Sequence, residues 1–168
     1  MMSTSVLFAQ LLFLTALPTH YHGASWGMSI AELKNQNTVH KASQHGQYNY
    51  ADHSEKNPDV YLRTTPKNKR IEYYFFKKKL YKIYVIHPKS TASTKKYQQL
   101  LRNFKQQYGS KTDNYQETYF GLKIQHNKWQ DNDTSLDLRF GAGFIYEVWV
   151  EKRAEKEKAR SLERGKSI

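Results

Sequence analysis

Apolar residues recur along this chain with distinct spacings, and each spacing predicts an element. Tyr97, Leu100, Leu101, Phe104 and Tyr108 follow at i, i+3, i+4, i+7 and i+11, which is one stripe of an α-helix. Thr91 or Ser93 can cap its start, and Gly109 stops it. Lys95, Gln98, Arg102, Lys105 and Gln106 fall on the opposite, solvated face. Elsewhere the period is two. IEYYFF (71–76) and LYKIYVI (80–86) are dense in aromatic and β-branched residues, and Lys77-Lys78-Lys79 separates them. That pattern predicts a hairpin. In its second run Tyr81, Ile83 and Val85 form the cleaner core face, opposite Leu80, Lys82, Tyr84 and Ile86. Val60-Tyr61-Leu62-Arg63 reads as a short strand before the turn around Pro66.

Three further strands are predicted. Thr118 to Gln125 is one. Thr134 to Phe140 alternates, with Leu136, Leu138 and Phe140 inward and Asp137 and Arg139 outward. Phe144 to Val150 follows the hairpin turn Gly141-Ala142-Gly143. Ser29-Ile30-Ala31-Glu32 is a capping box that opens a short helix with Ile30 and Leu33 on its apolar side. Residues 34–58 are polar and read as a loop. Residues 151–166 hold 11 charges around Ala154, Ala159 and Leu162, and read as a solvent-exposed helix or a frayed tail. The predicted fold class is α+β in two layers. An antiparallel sheet is covered by one long amphipathic helix, with a short N-terminal helix and a charged C-terminal helical tail.

The first 25 residues carry no Asp, Glu, Lys or Arg. Val6 to Leu17 is an apolar run of 12 broken only by Gln10 and Thr15. It is shorter than the roughly 18 residues a membrane-spanning helix needs, and it fits the core of a secretory signal. Pro18 ends it, and Gly23-Ala24-Ser25 offers small residues for cleavage after Ser25. No Lys or Arg precedes the run. The expected organisation is a signal peptide over 1–25, one α+β domain over 26–150 and a charged tail over 151–168. The alternative is a cytosolic chain whose apolar run is a buried helix.

Charge sharpens this picture. The 168 residues carry 27 Lys+Arg and 15 Asp+Glu, a net +12. Residues 56–105 hold fourteen of the cations against Asp59 and Glu72, so this segment equals the whole net charge. Lys77, Lys78 and Lys79 sit in a tight turn, and Lys69, Arg70 and Lys82 flank the same hairpin. These six are the candidate polyanion-binding residues. In an exported protein, lipid head groups or an anionic envelope surface are the expected partners ahead of nucleic acid. In a cytosolic one, aromatics interleaved with lysines suit single-stranded nucleic acid, though no ribonucleoprotein signature is present. A lysine-rich surface that only keeps the protein soluble is the plainer alternative.

Candidate chemistry is sparse. Without cysteine there are no disulfides, thiolate metal sites or thiol nucleophiles. The histidines His20, His22, His40, His45, His53, His87 and His126 form no HExxH pair. His40, His45 and His53 share the polar loop and read as exposed polar residues rather than metal ligands. Asp131-Asn132-Asp133 resembles the start of a calcium loop. Leu136 and Ala142 occupy the positions that need Gly and Glu, so it reads as a turn. No G-x-S-x-G is present, and no Walker lysine follows Gly141-Ala142-Gly143. No catalytic residue, cofactor or metal is assigned, and no enzymatic activity is expected.

Trp26-Gly27-Met28-Ser29 followed by Ala31-Glu32-Leu33-Lys34 resembles the opening of small exported bacterial α+β proteins, in which a Trp-Gly pair leads a capped helix just after the signal. The run Phe75 to Ile83, and the helix end Leu101, Phe104, Tyr108-Gly109, match the hairpin and helix of that group, with Trp129 at a further hairpin. SmpA/OmlA-type outer-membrane assembly lipoproteins open similarly, with a lipidated cysteine that this chain lacks. The resemblance spans roughly residues 26–150 and implies an exported domain without a defined activity. The expected function is therefore that of a small periplasmic or envelope-associated binding or structural protein. A cytosolic nucleic-acid-binding module using residues 56–105 is the alternative.

Overall fold

Turn chemistry and capping build the elements, and hairpin pairing assembles them. The computed structural model describes residues 16–21, 23–36, 43–45, 60–64, 69–110 and 112–165. In chain order these form β1 (His20–Tyr21), β2 (Ala24–Ser25), α1 (Ile30–Asn35), β3 (Ser43–His45), β4 (Val60–Thr64), β5 (Arg70–Phe76) and β6 (Lys79–His87). Then follow α2 (Thr94–Tyr108), β7 (Asp113–Tyr119), β8 (Leu122–Gln130), β9 (Thr134–Gly141), β10 (Phe144–Glu151) and α3 (Lys152–Gly165). The Ser29 capping box forms as the sequence predicts, with Ser29 N–H donating to Glu32 (2.7 Å) and Glu32 N–H to the Ser29 hydroxyl (3.2 Å). Ser93, not Thr91, caps α2.

β3 to β6 and β7 to β10 are two antiparallel meanders, joined edge to edge where β6 pairs β10. The result is one eight-stranded sheet in the order β3-β4-β5-β6-β10-β9-β8-β7. The fold is therefore α+β with an antiparallel sheet. The expectation of one long covering helix needs correction. At about 1.5 Å per residue, the fifteen residues of α2 cannot span eight strands set about 4.8 Å apart. Cover of the inner face is shared. α2 contributes buried Tyr97, Phe104 and Tyr108, and the N-terminal stretch contributes buried Leu17, Ala24 and Leu33. Beneath them lie Ile71, Tyr73, Phe75, Ile83, Val85, Trp129, Leu136, Leu138, Ile145 and Trp149. Phe104 meets Trp129 and Trp149 edge-on, at 5.8 and 6.0 Å between centroids. Asn127 donates to the Tyr97 hydroxyl and Trp129 Nε1 to the Gly109 carbonyl (2.9 Å), which fixes both ends of α2. Leu100 and Leu101 are only partly buried against this core.

Three local departures follow from tertiary context. The single strand predicted over Thr118–Gln125 is two, because Phe120 and Gly121 turn the chain with positive φ (48° and 77°). The register shift between Tyr74 and Phe75 pairs Phe75 with Leu80, so Leu80 joins the inner face. Tyr81 leaves that set and packs edge-on to Phe76 (6.3 Å), where its hydroxyl meets Lys158 of α3 (3.1 Å). Finally, Ala16 to Tyr21 and Gly23 to Ser25, within the expected signal, are built into the fold. Leu17 is 5% exposed and Ala24 is fully buried. Residues 1–15, most of the 34–58 loop and residues 166–168 lie outside the described residues. The charged segment 152–165 is helical, as α3, and packs on β6 and β10.

Candidate functional site: the two ends of the sheet

Antiparallel pairing sends each turn to one of two sheet ends. The starts of β5, β8 and β10 and the ends of β6, β7 and β9 lie together at one end, as do the loop into α2 and the turns at 120–121 and 142–143. We call this the open end. Its segments 69–70, 87–96, 118–124 and 139–144 contain Lys69, Arg70, Lys89, Lys95, Lys96 and Lys123, together with Arg139, and no Asp or Glu. Arg70, Lys89, Lys95 and Lys123 are exposed. The turns are in contact. A side chain at Gly141 would come within 2.7 Å of the Lys123 carbonyl oxygen, so only glycine allows β8 this approach. The stem of Lys89 lies over Gly143, and its ammonium group sits 5.5 Å from the Phe144 ring.

The opposite end holds the Lys77–Lys78 turn, the 131–133 turn and α3. The six sequence-predicted cations are therefore divided. Lys69 and Arg70 stand at the open end and Lys77, Lys78 and Lys79 at the α3 end, about 23 Å apart for a seven-residue strand. Lys77 is paired with Glu157, and that hydrogen bond and charge hold the Glu157 carboxyl below its usual range. Lys82 lies 3.2 Å from Glu155, and Arg70 lies 3.1 Å from buried Glu72. Lys78 and Lys79 are exposed. Beside α3 a groove of about 450 Å³ is lined by Lys152, Arg153, Lys156, Arg160, Glu157 and Asn132. The Asp131–Asp133 turn is a structural hub. Asp131 accepts from the Asp133, Thr134 and Leu17 amides at 2.9, 2.7 and 2.7 Å.

Two buried acid–base clusters went unseen in the sequence. On the outer face His126 Nδ1 is 3.0 Å from Asp137, which also accepts from Arg139 at 2.7 Å. Tyr115 stacks on His126 at 4.5 Å, and Glu117 lies 3.6 Å from its Nε2. Burial works against the Arg139 charge, but Asp137, Tyr84 and Tyr115 together more than compensate and raise its pKa. On the inner face His87 is 2.8 Å from Glu147, which also accepts from the Tyr21 hydroxyl at 3.2 Å. Burial and the Glu147 charge push the Tyr21 hydroxyl far above its ordinary value. Each histidine is thus engaged by a carboxylate on a neighbouring strand. Alternation placed Asp137 outward, yet it is 6% exposed, because the Arg139 and His126 side chains close over it. These pairs depend on cross-strand register, and nothing in local spacing signals them.

Among the described residues, no group of three or more His, Asp or Glu is placed to hold a metal ion, and no helix is long and apolar enough to cross a membrane. His20 is exposed in β1, whereas His22, His40 and His53 and the His45 side chain lie outside the described residues. No protein-family model matches the chain, and no curated protein and no solved structure is significantly similar to it.

Proposed function

We propose that this protein is a small exported binding domain, without catalytic activity, that works at an anionic surface of the cell envelope. The observation that carries the reading is the open end of the sheet, where exposed Lys89, Lys95 and Lys123 stand in turns without Asp or Glu, while Glu72 and Glu117 lie just inside it against Arg70 and His126. Such a surface attracts phosphate-bearing partners through charge, and lipid head groups supply them in the envelope. Export is supported by the apolar run from Val6 to Leu17. Leu17 and Ala24 are buried in the fold, so a mature chain beginning near Trp26 would lose both contacts.

The test is a titration of the unmodified protein with phosphatidylglycerol vesicles and with a single-stranded oligonucleotide at equal salt. Vesicle binding should be the tighter, and it should weaken as salt rises from low to about 0.15 M, where the screening length is about 8 Å. Tighter binding to the oligonucleotide would replace the envelope reading with the nucleic-acid one. Binding to neither at low salt would reduce the open end to a solubilising surface.

A further inference from the structure

We propose that the β7–β8 hairpin is a membrane wedge, which seats Tyr119, Phe120 and Leu122 in the interfacial layer of a bilayer containing anionic lipid. The inference rests on the anionic-surface reading and adds the element that enters the lipid.

Among the described residues, the exposed large hydrophobics are Tyr115, Tyr119, Phe120 and Leu122, at 39, 56, 89 and 50% exposure. All four lie on this one hairpin. Every residue of β7 is exposed, and among the described residues the hairpin pairs with the rest of the sheet through β8. Its two-residue turn has φ of +48° at Phe120 and +77° at Gly121. Turns of this kind select Asn, Asp or Gly at the first position. A bulky aromatic there is held in a conformation that L-residues disfavour, at a site where Asn would solve both the backbone and the solvation problem. The same left-handed backbone occurs in other turns, at Lys77, Lys78 and Ala142, so Phe120 is set apart by its 89% exposure. The Phe120 ring is not loose, since it stands edge-on to Tyr119 at 4.6 Å.

Charge around the hairpin selects the occupant. The hairpin tip belongs to the open end, with Lys123 next to Leu122 and Lys89 across the 142–143 turn. An apolar insertion and a basic patch hold a protein on a membrane more firmly together than either does alone, and both are present at this end. Tyrosine suits the head-group level, where its ring is buried and its hydroxyl wet.

The experiment uses the intact chain and vesicles of phosphatidylglycerol mixed with phosphatidylcholine. Phe120→Asn deletes the wedge while supplying a residue the turn prefers, so its melting temperature should equal or exceed that of the unmodified protein. Its vesicle affinity at about 0.15 M salt should fall about tenfold or more, the loss expected for one buried aromatic side chain. In a second variant, Phe120→Trp, tryptophan emission should shift to the blue on vesicle binding and be quenched by brominated lipid. The unmodified protein should show neither change, since Trp129 and Trp149 are 3 and 1% exposed and partly buried Trp26 donates to Thr134 at the opposite end of the sheet. If the protein binds vesicles while the Phe120→Trp signal stays unshifted and unquenched, the wedge is wrong and electrostatic binding stands. If the unmodified protein does not bind anionic vesicles even at low salt, the anionic-surface reading itself fails. If Phe120→Asn instead abolishes a concentration-dependent dimer without altering vesicle affinity, the hairpin is a contact between copies of this chain, and the proposal is overturned.

Discussion

The two ends of the sheet use the same residue type in opposite ways. At the α3 end, segments far apart in sequence are tied together. The Leu17 amide donates to Asp131 (2.7 Å), Trp26 Nε1 to the Thr134 hydroxyl (3.0 Å) and the Lys152 amide to the Asp133 carbonyl (2.8 Å). The Gly27 amide donates to the Leu80 carbonyl and the Leu80 amide to that of Met28 (2.9 and 2.8 Å). Lysines there meet α3 carboxylates, as Lys77 does Glu157 and Lys82 does Glu155. At the open end the turns carry Lys89 and Lys123, and their segments hold no acid. A lysine within reach of an internal carboxylate contributes less to the outward field than one without, because the pair is close to neutral at a distance. The α3 end closes the fold, although Lys78 and Lys79 are exposed there too, and the open end is the surface proposed to meet a partner.

The comparison yields ordered predictions. The largest effect is on binding. Lys89, Lys95 and Lys123 changed together to Glu should cost at least about 3 kcal/mol of vesicle affinity, at roughly 1 kcal/mol per lysine near a membrane. Unfolding stability should move by less than about 1 kcal/mol, as expected for exposed sites. The same change at Lys77, Lys78 and Lys79 should weaken vesicle binding less. Equal losses at both ends would erase the distinction.

Next is the N-terminal stretch. A chain starting at Trp26 loses buried Leu17 and Ala24 and the Tyr21 contact to Glu147. It should be less stable than one starting at Ala16 by about 3 kcal/mol or more in urea unfolding, the sum of a buried leucine and a hydrogen bond to a buried carboxylate. Equal stability would show that this stretch only decorates the sheet. Asp131→Ala follows, at about 2 kcal/mol, since one carboxylate serves three amides, of which the Asp133 amide is exposed and can turn to water. Vesicle affinity should not change.

The smallest effect is at Tyr73, whose buried hydroxyl has no hydrogen-bond partner among the described residues. Tyr73→Phe should change stability by less than about 1 kcal/mol at neutral pH. Burial pushes the Tyr73 hydroxyl up to about 12 from 10.0. Above the unfolded value the unfolded chain releases a proton that the folded one keeps. Stability from this group is therefore complete below pH 10 and declines as pH rises toward 12. At about pH 11 the phenylalanine variant should gain on the unmodified protein, and urea midpoints at the two pH values measure the gain.

Much of the architecture was legible because it is local. The stripe from Tyr97 to Tyr108, the Ser29 capping box, the β5–β6 hairpin and the glycine turn before Phe144 each depend on residues a few positions apart. The charged C-terminal stretch read as either helix or tail. Its helical form is decided by Lys77, Tyr81 and Lys82, which meet Glu157, Lys158 and Glu155. The β7–β8 hairpin escaped notice because DNYQETY (113–119) is polar and wholly exposed, so no alternation marks it. Gly121 was its one local signal.

The basic character of the chain, its local helices and its hairpins were set by the sequence alone, since turn chemistry, capping and hydrophobic period act over a few residues. Whether each lysine faces a carboxylate was decided only by tertiary structure. So were the β6–β10 junction, the shift that moves Tyr81 out of the inner set, and the pairing of His126 with Asp137. These depend on which register buries the most apolar surface between strands distant in sequence, and a one-residue slip would send each of these side chains to the other face.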